Sequence, residues 1–287
     1  MEKEQMRSAV REYLAAKGYV RMDVRAAMFD MDGVLFDSMK NHARSWHDTM
    51  AHFGFDLPEW EAYMHEGRTG AGTINIVSMR ERGHEATEEE IDNIYKYKSE
   101  LFNRCPTAER MPGAYELTLK VKESGMVPMV VTGSGQKTLL ERLQRNFPDV
   151  FRRELMVTAF DVKYGKPNPE PYLMGMEKFG RYVSQGNDGL CTVKLKDVRT
   201  GNTLAGEKHI GEGHSRLLEK ISPNNFIVVE NAPLGVEAGV ASGVFTIAVN
   251  TGPLPDDALL SKGANLLFHS MQELCDEWET LVGCLTL

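Results

Sequence analysis

Short apolar runs that end in small or acidic residues, separated by longer stretches of helical periodicity, recur through most of the chain. Strands are expected at Arg25 to Phe29, Val127 to Val131, Glu154 to Thr158, Phe226 to Val229 and Val244 to Val249. The alternation predicts an α/β fold, a doubly wound, Rossmann-like parallel sheet wrapped by helices. Polar residues follow several runs: Asp30 the first, Thr132 the second, Glu230 the fourth. Ligands of such sheets bind beyond the carboxyl ends of the strands, so these side chains are expected to converge on one crevice.

Two stretches break the alternation. The first and second strands are separated by far more chain than one crossover helix requires. The interval 38–106 reads as helical, through HARSWHDTMAHFGF and ATEEEIDNIYKYKSELFNRC, and predicts an inserted helical cap domain. Its hinges are expected near Phe36 to Met39 and near Pro106 to Gly113, the second rich in breakers. The core would then comprise 25–37 and 107–287, preceded by a helical arm over 1–24. The second break, Tyr182 to Ser215, is polar and Gly-rich. It predicts a surface ornament or oligomer contact at the amino-terminal edge of the sheet, with a hairpin turn at Arg199-Thr200-Gly201-Asn202 between Cys191 to Val198 and Thr203 to Ile210.

Composition narrows the class. A hydrophobic share of 42% and a charged share of 26% describe an ordinary globular protein. A formal net charge of -8 without a dense basic run argues against nucleic acid or an anionic membrane as partner. Cys105, Cys191, Cys275 and Cys284 lie far apart without metal-ligand spacing, which fits a reducing cytoplasm. The opening MEKEQMRSAVREYLAAKGYV lacks the apolar stretch of a signal peptide, and no window approaches the roughly 18 apolar residues of a membrane span. A monomer or weak homo-oligomer is expected.

The candidate chemistry begins at Phe29-Asp30-Met31-Asp32-Gly33-Val34. Asp30 and Asp32 stand two apart after a strand, so extended backbone would point both carboxylates to one side. There one can attack and the other trade protons with a leaving oxygen. Two such carboxylates are costly without a cation, and oxygen ligands favour Mg²⁺. Alone, the pattern reads equally as a calcium turn or an acidic loop. The later strand ends add to it in order. Thr132-Gly133-Ser134 offers hydroxyls and backbone N–H groups ahead of a helix expected near Gln136, a phosphate cradle. Lys166, in Lys163-Tyr164-Gly165-Lys166-Pro167-Asn168-Pro169, offers a cation, and Glu230-Asn231 offers oxygen ligands. Taken singly these are a helix cap, a turn and a chance pair; the ordered set predicts phosphoryl transfer.

In FDMDGVLFDS, VVTGSG, YGKPNPEPY and VVENAPLGVEAG the chain resembles the haloacid dehalogenase superfamily, and its helical insertion resembles the subclass that includes β-phosphoglucomutase. Within that subclass, EAYMHEGRTGAGTINIV and TIAVNTGPLPDDALLSKGANLLF look closest to the Bacteroides-type inorganic pyrophosphatases. The resemblance implies that Asp30 becomes an aspartyl phosphate, that Asp32 acts as general acid and then base, and that Thr132, Ser134 and Lys166 hold the phosphoryl group. It implies Mg²⁺ on Asp30, the carbonyl of Asp32, Glu230 and Asn231. Asn231 stands where aspartate is usual, and the cap residue Glu66 is implied to compensate at the metal. On the cap, Arg68 would grip phosphate, and Tyr95 and Lys98, three apart, would face the substrate; a solvated helix face is the alternative for that pair. His42 matches a cap-base histidine of the mutase-like members, with helix packing as its alternative. The expected reaction is hydrolysis of a small phosphorylated substrate, pyrophosphate favoured. A sugar-phosphate phosphatase or β-phosphoglucomutase is the alternative, and an inactive phosphate-sensing relative is a third reading.

Overall fold

The computed structural model describes residues 1–134, 139–185 and 221–286. Six parallel strands form one sheet in the order β3-β2-β1-β4-β5-β6. They are β1 (Ala26–Phe29), β2 (Val127–Val131), β3 (Met156–Val157), β4 (Phe226–Glu230), β5 (Phe245–Val249) and β6 (Leu266–Phe268). Register explains why the polar strand ends meet. Phe29 pairs with Val130 on one side and Val229 on the other, so Asp30 stands level with Val131 and Glu230. Asp30 N–H donates to the Val229 carbonyl at 3.0 Å, which carries the ladder one residue past the strand.

Side chains of β1 and β4 alternate between two cores, as a sheet covered on both faces requires. Ala27, Phe29, Ile227 and Val229 face one, and Ala26, Met28, Phe226 and Val228 the other. The first core is closed by α1 (Lys3–Lys17) and α6 (Ala114–Glu123), and by α11 (Met271–Asp276) and α12 (Trp278–Leu285) further along the chain. The second is closed by α8 (Glu170–Ser184) and α9 (Pro233–Ala241). Two shorter helices, α7 (Leu139–Asn146) and α10 (Asp257–Leu260), flank the sheet. The N-terminal arm is part of the core: Met6, Val10 and Tyr13 are buried, and Tyr13 Oη donates to the Gly243 carbonyl at 2.9 Å.

Between β1 and β2 stand α2 (Met39–His52), α3 (Glu59–Met64), α4 (Gly70–Arg82) and α5 (Glu88–Arg104), the inserted cap. Its own core gathers Trp46, Met50, Phe55, Ile74, Val77 and Ile94. A capping box starts α5, where Thr87 accepts from the Glu90 N–H and the Glu90 carboxylate accepts from the Thr87 N–H. The two linkers brace one another: Asp37 N–H donates to the Glu109 carbonyl and Met111 N–H to the Leu35 carbonyl, both at 2.9 Å.

Three sequence expectations change. The sixth strand was not expected, because Leu266–Phe268 is too short to carry a pattern of its own; pairing with β5 makes it extended. The third strand contracts to Met156–Val157, since Arg153–Leu155 winds into a 3-10 turn that removes Glu154 from the ladder. Tyr182 to Ser184 complete α8, with Tyr182 buried, rather than opening the polar insertion. Residues 186–215 of that insertion, with its two strand runs and turn, lie outside the described residues, as do 135–138, where a helix start near Gln136 was expected. Cys105, Cys275 and Cys284 are free thiols. Among the described residues no helix is long and apolar enough to cross a membrane.

Candidate active site

The turn after β1 is built so that it can be buried. Gly33 has φ +86°, a conformation that side chains rarely adopt, and a Cβ there would lie 2.1 Å from Asn231 Nδ2. Only glycine lets the two strand-end loops close on each other. Asp30 and Asp32 are 3% and 4% exposed and thus leave water together. Thr132, also buried, follows β2, with its N–H on the Val157 carbonyl at 2.9 Å, and its Oγ1 accepts from the Ser134 N–H at 3.0 Å. The sequence placed these groups on one crevice, and the structure brings them there.

Lys166 binds the strand ends together. Its Nζ lies 2.5 Å from Asp30 Oδ1, 2.5 Å from Glu230 Oε1 and 3.1 Å from the Val131 carbonyl. Burial opposes its charge, but the two carboxylates outweigh burial and raise its pKa. Asp30 shows the converse: burial pushes its carboxyl well above the usual range, Lys166 opposes that, and Glu230 and Glu66 add to it. Glu230 was expected on a metal. Its Oε1 takes Lys166 and the Tyr172 hydroxyl, at 2.5 Å each, and its Oε2 accepts from the Asn231 N–H at 3.2 Å. That carboxylate thus holds Lys166 in place. Tyr172, without a role in the sequence reading, is the buried donor that completes this arrangement.

Asp32 has different surroundings. The Ser38 hydroxyl donates to its Oδ1, and His42 Nε2 lies 3.4 Å from the same atom. Burial would raise its pKa, but His42, Ser38 and Arg142 of α7 hold it at about 2. Burial and charge thus shift the two neighbouring carboxyls in opposite directions, Asp30 up and Asp32 down. Behind His42, Lys98 Nζ is 3.0 Å from Nδ1 and 5.3 Å from the centre of the Trp46 ring. Lys98 is buried, and burial lowers its pKa to about 8. The alternative of a solvated helix face is thereby excluded for Lys98. Tyr95 is the more open of the pair, 44% exposed. His42 both packs on Phe102, ring centres 4.1 Å apart, and meets Asp32, so neither of its two readings excludes the other.

The cap sits closed over the crevice. Gly67, at φ +83°, passes so close that a Cβ would lie 2.8 Å from Lys166 Cδ. Beneath it is a cavity of about 430 Å³, lined by Asp32, Gly133 and Ser134 from the core and by Glu66, Arg68 and Lys98 from the cap, with Trp46, Tyr95 and Phe102 as aromatic walls. Arg68 Nε is buried there without a hydrogen-bond partner. Burial and Asp32 raise the Glu66 carboxyl, while His42, Lys98 and Lys166 oppose them.

Two buried oxygens bear on a cation. Asp30 Oδ2 and Asn231 Oδ1 have no hydrogen-bond partner, a costly state for a carboxylate and an amide unless something else meets them. Hard oxygen donors of this kind suit Mg²⁺. Among the described residues no cluster of three or more His, Cys, Asp or Glu side chains is arranged around a metal, so the donors would be mixed: carboxylate, amide and carbonyl oxygens.

The family model of haloacid dehalogenase-like hydrolases matches residues 27–185. A solved structure from Bacteroides vulgatus, provisionally named a beta-phosphoglucomutase, is 54% identical, with a TM-score of 0.84 and complete coverage of both chains. Hexitol phosphatase A of Escherichia coli is 24% identical over 254 residues, covering 88% of this chain and 94% of that protein. Glycerol-1-phosphate phosphohydrolase 2 of Saccharomyces cerevisiae is also 24% identical, covering 88% and 85%. These relatives are named for polyol phosphates and for a phosphoglucomutase, not for pyrophosphate. With its family model spanning more than half of the sequence, the chain belongs to the haloacid dehalogenase-like hydrolases.

Proposed function

We propose that this protein is a Mg²⁺-dependent phosphohydrolase that forms an aspartyl phosphate on Asp30 and acts on a small sugar or polyol phosphate. The observation that carries the reading is the pair Asp30 and Lys166, buried together at 2.5 Å under a closed cap that walls a cavity beside them. Asp30 attacks phosphorus, the bond to the leaving oxygen breaks, and that oxygen takes a proton from Asp32. Water then attacks the acyl phosphate while Asp32 takes its proton, and phosphate leaves with Asp30 restored. The ionised state of Asp32 suits the second step. The first needs its acid form, which an incoming phosphate dianion favours by raising the carboxyl pKa.

Lys166, Thr132, Gly133 and Ser134 hold the phosphoryl oxygens, and Glu230 and Tyr172 keep Lys166 in place. Asp30, the Asp32 carbonyl and Asn231 would hold Mg²⁺, with Glu66 reaching toward it from the cap. When bound, the cation neutralises charge on the phosphoryl group and on Asp30.

A cavity of about 430 Å³ with three aromatic walls suits a carbon skeleton, and the names of the relatives favour polyol and sugar phosphates. Pyrophosphate is the second reading, favoured by the cationic cap residues Lys98 and Arg68 facing the cavity. Phosphate release with Mg²⁺ from hexitol, hexose and glycerol phosphates and from pyrophosphate separates the two. Interconversion of glucose 1-phosphate and glucose 6-phosphate would identify a mutase. We expect kcat/KM for a polyol or sugar phosphate to exceed that for pyrophosphate by at least about tenfold, a modest share of the discrimination a fitted site provides. The reverse order overturns the substrate class, and full activity in Asp30→Asn overturns the chemistry.

A further inference from the structure

We infer that Phe160, on the core, is a specificity-determining residue whose ring covers the carbon face of the substrate's leaving group. The inference rests on the phosphohydrolase reading and deepens it. Phe160 is 77% exposed, an unusual state for a phenyl ring, and it lines the cavity mouth beside Ala159, Gly133 and Ser134. It belongs neither to the described cores nor to the phosphoryl-binding groups.

The turn that presents it is pinned on every side. Asp161 Oδ2 accepts from the Thr158 N–H and from its hydroxyl, each at 2.8 Å, and Asp161 N–H donates back to the Thr158 carbonyl at 3.0 Å. Lys178 reaches from α8 to Asp161 Oδ1 at 2.7 Å and to the Met156 carbonyl at 2.5 Å. Ala159 N–H donates to the Ser134 carbonyl at 3.3 Å, which ties the turn to the phosphate cradle. Bonds on both sides of Phe160 fix the backbone from which the ring is presented. The apolar surface is thus fixed at the mouth, facing the cavity whose cap side carries Trp46, Tyr95 and Phe102.

A phosphoryl group seated at Asp30 places whatever it is attached to between these walls. A sugar or hexitol has C–H faces that aromatic rings cover, whereas pyrophosphate presents only charged oxygens, which a phenyl ring desolvates without replacing their hydrogen bonds. Phe160 therefore selects for organic phosphates over inorganic ones, and for longer skeletons over short ones.

The test compares a hexitol phosphate with acetyl phosphate, whose two-carbon acyl group offers little surface to a ring, in the whole chain with Mg²⁺. Phe160→Ala should raise KM for the hexitol phosphate about tenfold at unchanged kcat, the effect expected when one apolar group is taken from a binding pocket. Acetyl phosphate should be unaffected, and Phe160→Tyr should restore wild-type KM. Unfolding curves of the variants check that the exposed substitution leaves the fold intact. An unchanged KM for the hexitol phosphate, or equal changes on both substrates, overturns the role of Phe160 while the phosphohydrolase reading stands. Turnover of acetyl phosphate by the wild type without turnover of any polyol or sugar phosphate overturns the substrate class and the Phe160 assignment together.

Discussion

Lys166→Met removes a cation from between two buried carboxylates and keeps the volume of the side chain. In the intact protein Nζ sits 2.5 Å from Asp30 Oδ1 and 2.5 Å from Glu230 Oε1, and the lysine is 2% exposed, so water cannot take its place. Removing one partner of a buried ion pair costs about 3–5 kcal/mol, because the remaining charge stays buried. For a chain of this size that is a fall in Tm of about 5–8 °C. The loss should depend on pH in a definite direction. Without the lysine, Asp30 keeps its burial and its repulsion from Glu230, so its folded-state carboxyl pKa rises further above the unfolded value. Stability contributed by a group raised in this way is present below the unfolded pKa and is lost as pH rises through the folded one. The deficit of the variant is therefore largest above neutrality and shrinks as pH falls toward the range where carboxylates protonate.

Urea unfolding of wild type, Lys166→Met, Glu230→Gln and the double variant in chelator, at several pH values, reads these quantities directly. Removing the second carboxylate as well should recover part of the loss, with a coupling energy of about 1–3 kcal/mol. A cost below about 1 kcal/mol that is flat with pH would refute the reasoning, since such a small effect belongs to exposed pairs. So would strict additivity of the two substitutions. Activity adds a separate expectation: kcat should fall by about 100- to 1,000-fold, the loss seen when one preorganised cation or donor is taken from a transition state.

Further expectations follow from other residues. Lys98, with a pKa lowered to about 8 by burial, gives up its proton above that pH, so kcat/KM for the anionic substrate should break downward near pH 8 and the break should vanish in Lys98→Met. A break that persists in the variant assigns it elsewhere. Gly67→Ala puts a methyl 2.8 Å from Lys166 Cδ at a backbone φ of +83°, so cap closure should be impaired and kcat/KM reduced by about tenfold or more; unchanged kinetics would sink the closed-cap reading. Met6→Ala empties a fully buried position on the N-terminal helix and should cost about 2–5 kcal/mol in urea, whereas an arm that merely adheres to the surface would lose almost nothing.

How much of this could be read from the sequence depended on whether a residue's partners were local. Asp30 and Thr132 were legible as neighbours because each directly follows an apolar run, and strand ends in a parallel sheet share an edge whatever the details of packing. Leu266–Phe268 was not, because three residues hold no period and the strand exists only through its ladder with β5. Phe160 was hidden for a related reason: exposure of one ring cannot be inferred without knowing that Asp161 and Lys178 pin its turn.

Glu230 shows what a sequence leaves out. An acidic residue next to Asn231 at a strand end offers oxygen to a metal, and composition alone supports that role. What decides its role is distance in three dimensions to two residues far away in the chain, Lys166 and Tyr172, whose donors take up Oε1 at 2.5 Å each. Those donors hold Oε1, while Asn231 offers an Oδ1 that has no hydrogen-bond partner. The neutral amide in place of a second carboxylate then leaves the site with less fixed negative charge. A carboxylate that arrives with the cap, Glu66, would supply it only in the closed state, which ties the affinity for Mg²⁺ to closure of the cap. Binding of Mg²⁺ should therefore weaken in Glu66→Gln by more than in a variant of an exposed cap acid such as Glu89→Gln, measured by calorimetry in the absence of substrate. Equal affinities would leave the cation to the core residues alone.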